Sequence, residues 1–162
     1  MVRPAHRTKP GATYFITTNT WERRALFRKP EFATIVEEKL FEYRDKGFYR
    51  LCGYVIMPDH LHVILTPGDS TSLEKAVQLI KGGSSHAIGK RSPSPLPVWQ
   101  PGFAEHQIRD DADFQEHVRY IEGNPVKARL VIRPDEYAFS SMRSKDRLDP
   151  WPVVLGAEAP SC

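Results

Sequence analysis

The segment Cys52 to Thr66 constrains the fold more than any other part of the chain. Tyr54, Val55 and Ile56 end one apolar strand, Pro58 and Asp59 supply a turn, and His60 to Thr66 return as a second strand. A chain that doubles back this tightly builds an antiparallel sheet. Side chains alternate across a strand, so His60 and His62 point to one face while Leu61, Val63 and Leu65 point to the other, into a core. Two imidazoles side by side on a rigid element suit a single metal ion. By residue chemistry alone they favour zinc or another transition ion over magnesium. The same spacing also occurs in structural or surface histidine pairs, and two ligands do not complete a site.

The flanking elements follow from periodicity. Ala12 to Trp21 is rich in β-branched and aromatic residues and predicts a strand. Pro30 and Glu31 open a helix whose stripe is Ile35, Val36, Leu40 and Tyr43, stopped at Gly47. Phe48 to Ile56 is the second strand and the histidine strand the third. Ser72 caps a helix with Leu73, Ala76, Val77 and Ile80 inward, and Gly82 and Gly83 are expected to interrupt it. Ser92 to Pro97 reads as a surface loop. Val98-Trp99 and Phe103 to Arg109 read as short strands. Asp110 and Asp111 precede a helix over 112–123, with Phe114, His117, Val118 and Ile121 facing the core. Tyr120 lies on the flank of that stripe, its ring on protein and its hydroxyl free to face a cleft. Asn124-Pro125 is expected to end this helix, with Asn124 capping a short one over 126–129. A hairpin between two helices argues for the α+β class, an antiparallel sheet with packed helices.

At 162 residues the chain fits one main domain over 1–132 and a partly irregular tail over 133–162. No apolar run is long enough for a bilayer, so no membrane partner is expected. The basic start of the chain has no apolar stretch behind it, so it is not expected to act as a secretory signal. Cys52 and Cys162 form no disulfide framework, which fits free thiols in a cytoplasmic protein. The net charge of +3 is compatible with nucleic acid without requiring it. Arg3, Arg7 and Lys9 cluster, as do Arg23, Arg24, Arg28 and Lys29, and Lys81, Lys90 and Arg91. With Trp21, Phe27 and Trp99 nearby they suit phosphates and stackable bases, or simply a solvated basic face.

Five blocks in order carry a family resemblance: Tyr54 to Leu65, Leu79 to Ser85, Trp99 to Phe103, Ile108 to Asp110 and Tyr120 to Val131. Together they resemble the single-tyrosine HUH transposases (histidine, hydrophobic residue, histidine), and most closely the REP-associated tyrosine branch. The likeness runs from about Thr13 to Ser141. It implies a ferredoxin-like fold with a central antiparallel sheet. It also implies cleavage and rejoining of single-stranded DNA beside hairpins, with Mg2+ or Mn2+ as cofactor. His60 and His62 would be metal ligands, Tyr120 the nucleophile, and Asn124 a shorter stand-in for a third polar ligand that relatives place one turn beyond the tyrosine, often as glutamine. Lys81, Arg23, Arg24, Trp99, His106 and Arg109 are candidate DNA contacts. Single-stranded or hairpin DNA is the expected partner of a monomer or homodimer. Two other readings remain: a silent hairpin-DNA-binding protein of the same fold, and a zinc hydrolase. The second is disfavoured because no third histidine or carboxylate stands at close spacing.

Overall fold

The computed structural model describes residues 7–151, so Arg3 and Cys162 lie outside the described residues. Strand β1 (Tyr14–Asn19) is followed by helix α1 (Pro30–Asp45). The hairpin is β2 (Tyr49–Met57) and β3 (His60–Pro67), and α2 (Leu73–Arg91), β4 (Ala104–Gln107) and α3 (Asp111–Lys127) complete the order. The strands form one sheet, β2-β3-β1-β4, antiparallel at every pairing. Each of α1 and α2 therefore joins strands that are not neighbours in the sheet. This is the ferredoxin-like α+β architecture expected from the sequence.

The hairpin turns at Pro58-Asp59, with Met57 paired to His60. The β2 register shifts between Leu51 and Gly53, making Cys52 a bulge residue that re-phases the strand. Before it Tyr49 and Leu51, and after it Tyr54 and Ile56, all reach the same core. That core lies under α1 and α2 and also takes Tyr14, Ile16, Leu61, Val63 and Leu65. The opposite sheet face packs against α3 through Val55, Met57, Ile64, Phe114 and Ile121, with Phe15 beside them. The histidine strand is thus covered on both sides, and α3 lies over the face that carries the imidazoles.

Several elements depart from the sequence expectations. β1 ends at Asn19, and Trp21–Arg23 form a 3-10 turn instead of continuing it. α2 runs unbroken through Gly82 and Gly83. A Cβ at Gly83 would lie 2.1 Å from the Tyr43 hydroxyl, so this glycine lets α1 and α2 approach closely. Val98-Trp99 forms no strand, only a single bridge from Thr20 to Trp99. The indole is buried, donates to Ser84 Oγ at 3.0 Å and packs tilted against the Phe27 ring, so it anchors by its side chain. Of the segment Phe103 to Arg109, Ala104–Gln107 pairs with β1.

α3 continues through Asn124 and Pro125 to Lys127. Proline there removes one backbone donor close to the helix end, and its ring is buried. The Arg129 and Leu130 amides donate back to the Val126 and Pro125 carbonyls, with Arg129 at φ 60°. The helix therefore closes as a Schellman motif with arginine in the position that usually takes glycine. α1 closes the same way on Gly47, at φ 84°.

Residues 133–151 hold three 3-10 turns and wrap the free edge of β2. The Ile56 amide donates to the Phe139 carbonyl, and Tyr137 Oη donates to the Ile56 carbonyl at 2.6 Å. Asp149 accepts from the Leu51 amide and both Nε and Nη2 of Arg44. Burial works to raise the Asp149 carboxyl, but the Arg44 pair and the Leu51 amide outweigh it and hold it below the ordinary carboxylate range. No helix among the described residues is long and apolar enough to cross a membrane.

Candidate active site

β3 presents His60 and His62 on the face covered by α3, and one open cleft is lined by Phe15, Thr17, Arg23, His60, His62, Tyr120, Asn124 and Lys127. The two imidazoles stand edge to face with centroids 4.6 Å apart. The Tyr120 ring meets His62 at 5.2 Å and Phe15 at 5.9 Å. Tyr120 remains 45% exposed, so its ring packs on the sheet while solvent reaches the side chain. Asn124 and Lys127 follow it one and two turns later along the same helix face. That face is continuous only because α3 does not stop at Pro125.

Each histidine is oriented by its other ring nitrogen. His60 Nδ1 lies 2.6 Å from Asp59 Oδ1, and Arg23 Nε donates to Asp59 Oδ2 at 3.2 Å. Burial alone would raise the Asp59 carboxyl. The His60 hydrogen bond and the Arg23 charge prevail, and its pKa is lowered. An ionised carboxylate can only accept, so Nδ1 of His60 carries a proton, which leaves Nε2 as the ring nitrogen that can face a metal. His62 Nδ1 sits 2.8 Å from Thr17 Oγ1, while its Nε2 is buried without a hydrogen-bond partner. Burial above all, with His60 and Arg23 close by, pushes His62 down to about 3, so the ring is neutral at pH 7. Leaving a buried polar nitrogen unsatisfied costs about 1–3 kcal/mol. A cation bound at that nitrogen would satisfy it, so the residues present fit a divalent metal.

Arg23 reaches this position from an unusual backbone. Glu22 and Arg23 have φ of 54° and 55°, left-handed values that cost non-glycine residues about 1–3 kcal/mol each. The Arg23 guanidinium is held by Asp59 and by Asn19 Oδ1 at 3.1 Å.

The other candidate DNA contacts lie elsewhere. Lys81 Nζ donates to the Gln100 and Gly102 carbonyls at 2.7 and 2.8 Å, fastening the loop before β4. The Arg24 guanidinium donates to the Trp21 and Pro97 carbonyls and borders a separate groove with Leu26, Lys29, Phe32 and Leu96. Trp99 is buried, which leaves no ring face free for a base. His106 pairs with Asp113 at 2.9 Å, and Arg109 is exposed with Nε 3.6 Å from the same carboxylate.

Sequence reasoning overlooked Thr17, Asp59, Lys127 and Asp113. Thr17 faces His62 only through the β1–β3 register, which a single sequence does not give. Lys127 was hidden by the expected break at Pro125.

A family model described as IS200-like transposase matches residues 8–124. The REP-associated tyrosine transposase of Escherichia coli (strain K12) is 32% identical over 132 residues, which is 81% of this chain and 76% of the relative. A solved structure of a REP-associated tyrosine transposase bound to a REP hairpin superposes with a TM-score of 0.75. It is 27% identical, and the match covers 98% of this chain and 96% of that one.

Proposed function

The chain belongs to the IS200-like transposase family of DNA-processing enzymes, and on that premise we propose that it cuts and rejoins single-stranded DNA beside hairpins, with Tyr120 as the nucleophile. The observation that carries this reading is the Tyr120 ring seated 5.2 Å from His62 at an open cleft. The match to a relative bound to a REP hairpin supports hairpin DNA as the partner.

In this reading the Tyr120 hydroxyl attacks a backbone phosphorus. The bond from phosphorus to the 3′-oxygen breaks, leaving a 5′-phosphotyrosine and a free 3′-hydroxyl. The phosphodiester is conserved, so the 3′-hydroxyl of another end reverses the step and joins strands without a nucleotide cofactor. Phenol, with an ordinary pKa of about 10, leaves readily in that direction. His60 and His62 through Nε2, with the Asn124 amide, would hold a divalent ion, Mg2+ or Mn2+. When bound, that ion supplies a positive charge for the non-bridging oxygens of the scissile group. Neutral His62 offers a lone pair without first losing a proton, and Asp59 orients the His60 ring beside it. Arg23 and Lys127 flank the cleft with fixed positive charge for the flanking phosphates. An exposed cleft admits a strand that bends, whereas a duplex keeps its phosphates on a stiff helix.

The test is denaturing electrophoresis of the protein with a labelled hairpin carrying single-stranded flanks, taken from beside its own gene, with Mn2+ or Mg2+. A metal-dependent protein–DNA band that disappears in Tyr120→Phe and His60→Ala supports the reading. Cleavage that persists in Tyr120→Phe without an adduct would move the chemistry to metal-assisted hydrolysis. Binding with no cleavage on any such strand would leave a silent hairpin-binding protein.

A further inference from the structure

Beyond the Tyr120 cleft, the fold assembles a second group of metal-binding side chains from β4 and the first turns of α3. His106, Asp113 and His117 bring one donor atom each within 4.8 Å of one another. Asp113 Oδ2 lies 2.9 Å from His106 Nε2, and Oδ1 lies 3.2 Å from His117 Nδ1. The two imidazoles stack with centroids 4.7 Å apart and planes inclined by 17°, so both present an edge to the same carboxylate. The Asp113 carboxylate is buried and also accepts from the Arg109 amide at 2.9 Å, and Arg109 Nε lies at 3.6 Å. His117 Nδ1 additionally faces the Asp113 carbonyl at 2.8 Å. His106 is more than a third exposed, which leaves an entry path and room for water. The Phe15 ring contacts both His62 and His117, so the group is walled off from the Tyr120 cleft.

We infer that His106, Asp113 and His117 form a second metal site, suited to a zinc-class transition ion, that fastens β4 to α3. Two imidazoles and one carboxylate favour Zn2+ or Co2+ over Mg2+, with water as a fourth ligand. The exchange balances without an added reagent. In the metal-free protein the imidazole nitrogen facing the ionised Asp113 carboxylate carries a proton, because that carboxylate can only accept. On binding, that proton leaves for the other ring nitrogen or for solvent, and the freed lone pair takes the cation. The carboxylate gives up the two imidazole bonds and keeps the Arg109 amide, the outer-shell support such ligands usually have. Occupancy would tie β4, the edge strand, to the helix that bears Tyr120 three residues after His117. This inference does not depend on the transposase reading.

The test uses the full chain stripped with chelator and titrated with Co2+. His60→Ala/His62→Ala is the background, so that only the second site is read. One equivalent of Co2+, a visible d–d absorption from nitrogen and oxygen ligands, and a rise in thermal midpoint with Zn2+ are expected. Adding His106→Ala or His117→Ala should weaken binding about a hundredfold or more and abolish the midpoint rise. His106→Ala lies at the rim, and circular dichroism of the metal-free variant checks that it folds. No Co2+ uptake by the background variant would overturn the inference. So would uptake unchanged by both further substitutions.

Discussion

At the scale of single residues, the site depends on atoms behind the metal-facing nitrogens. Asp59→Asn removes the charged acceptor on His60 Nδ1, and the affinity for Mn2+ should fall about 10–100-fold by calorimetry. Thr17→Val should act in the same direction through His62. His62 also gives the metal-free protein a pH signature. Its pKa falls from 6.5 to about 3 on folding, so between those values the unfolded chain binds more protons than the folded one. Its contribution to stability is complete above 6.5 and is lost as the pH falls, by about 2 kcal/mol at about pH 5. Urea melts of wild type and His62→Gln should converge over that interval. The histidine pair and its common face were legible in the sequence because strand alternation is strictly local. The partners were not, since Thr17 meets His62 across 45 residues of chain.

At the scale of elements, the helices show where local rules give way to packing. Paired glycines lower helix propensity, yet α2 passes through them because Gly83 admits the Tyr43 ring. Gly83→Ala should destabilise the protein by about 1–3 kcal/mol in chemical denaturation, despite alanine's better propensity. Tyr43→Phe, which removes the atom 2.1 Å from the new Cβ, should recover part of that loss. The same reasoning explains α3. Asn124-Pro125 carries the local marks of a helix end, but only one backbone bond is lost so near the terminus, and Pro125 is buried. Reading a break there kept Tyr120 and Asn124 on one turn but cut Lys127 from their face. The short strand expected at Val98-Trp99 gives way for a related reason, since Trp99 is held by its indole and not by a ladder, whereas Ala104–Gln107 does pair with β1.

For the whole molecule, the order of strands and helices was enough to read an antiparallel α+β fold, because the hairpin excludes a parallel one. The strand order and the strap over β2 were not legible, as both rest on contacts between distant residues. Arg44 and Asp149 are 105 positions apart. Asp149→Ala removes the Arg44 pair and the Leu51 amide's acceptor together. It should cost about 3 kcal/mol in chemical denaturation, near the low end for a buried pair because Arg44 remains partly solvated. The fold's main consequence is that it sets one side chain of α3 over the imidazoles of β3. The most direct test of Tyr120's role is peptide mass spectrometry of protein trapped with its hairpin substrate and Mn2+. A phosphodeoxynucleotide attached at Tyr120 is the expected result. A strand that is cut while the adduct maps to another residue, or while no adduct forms at all, would contradict it.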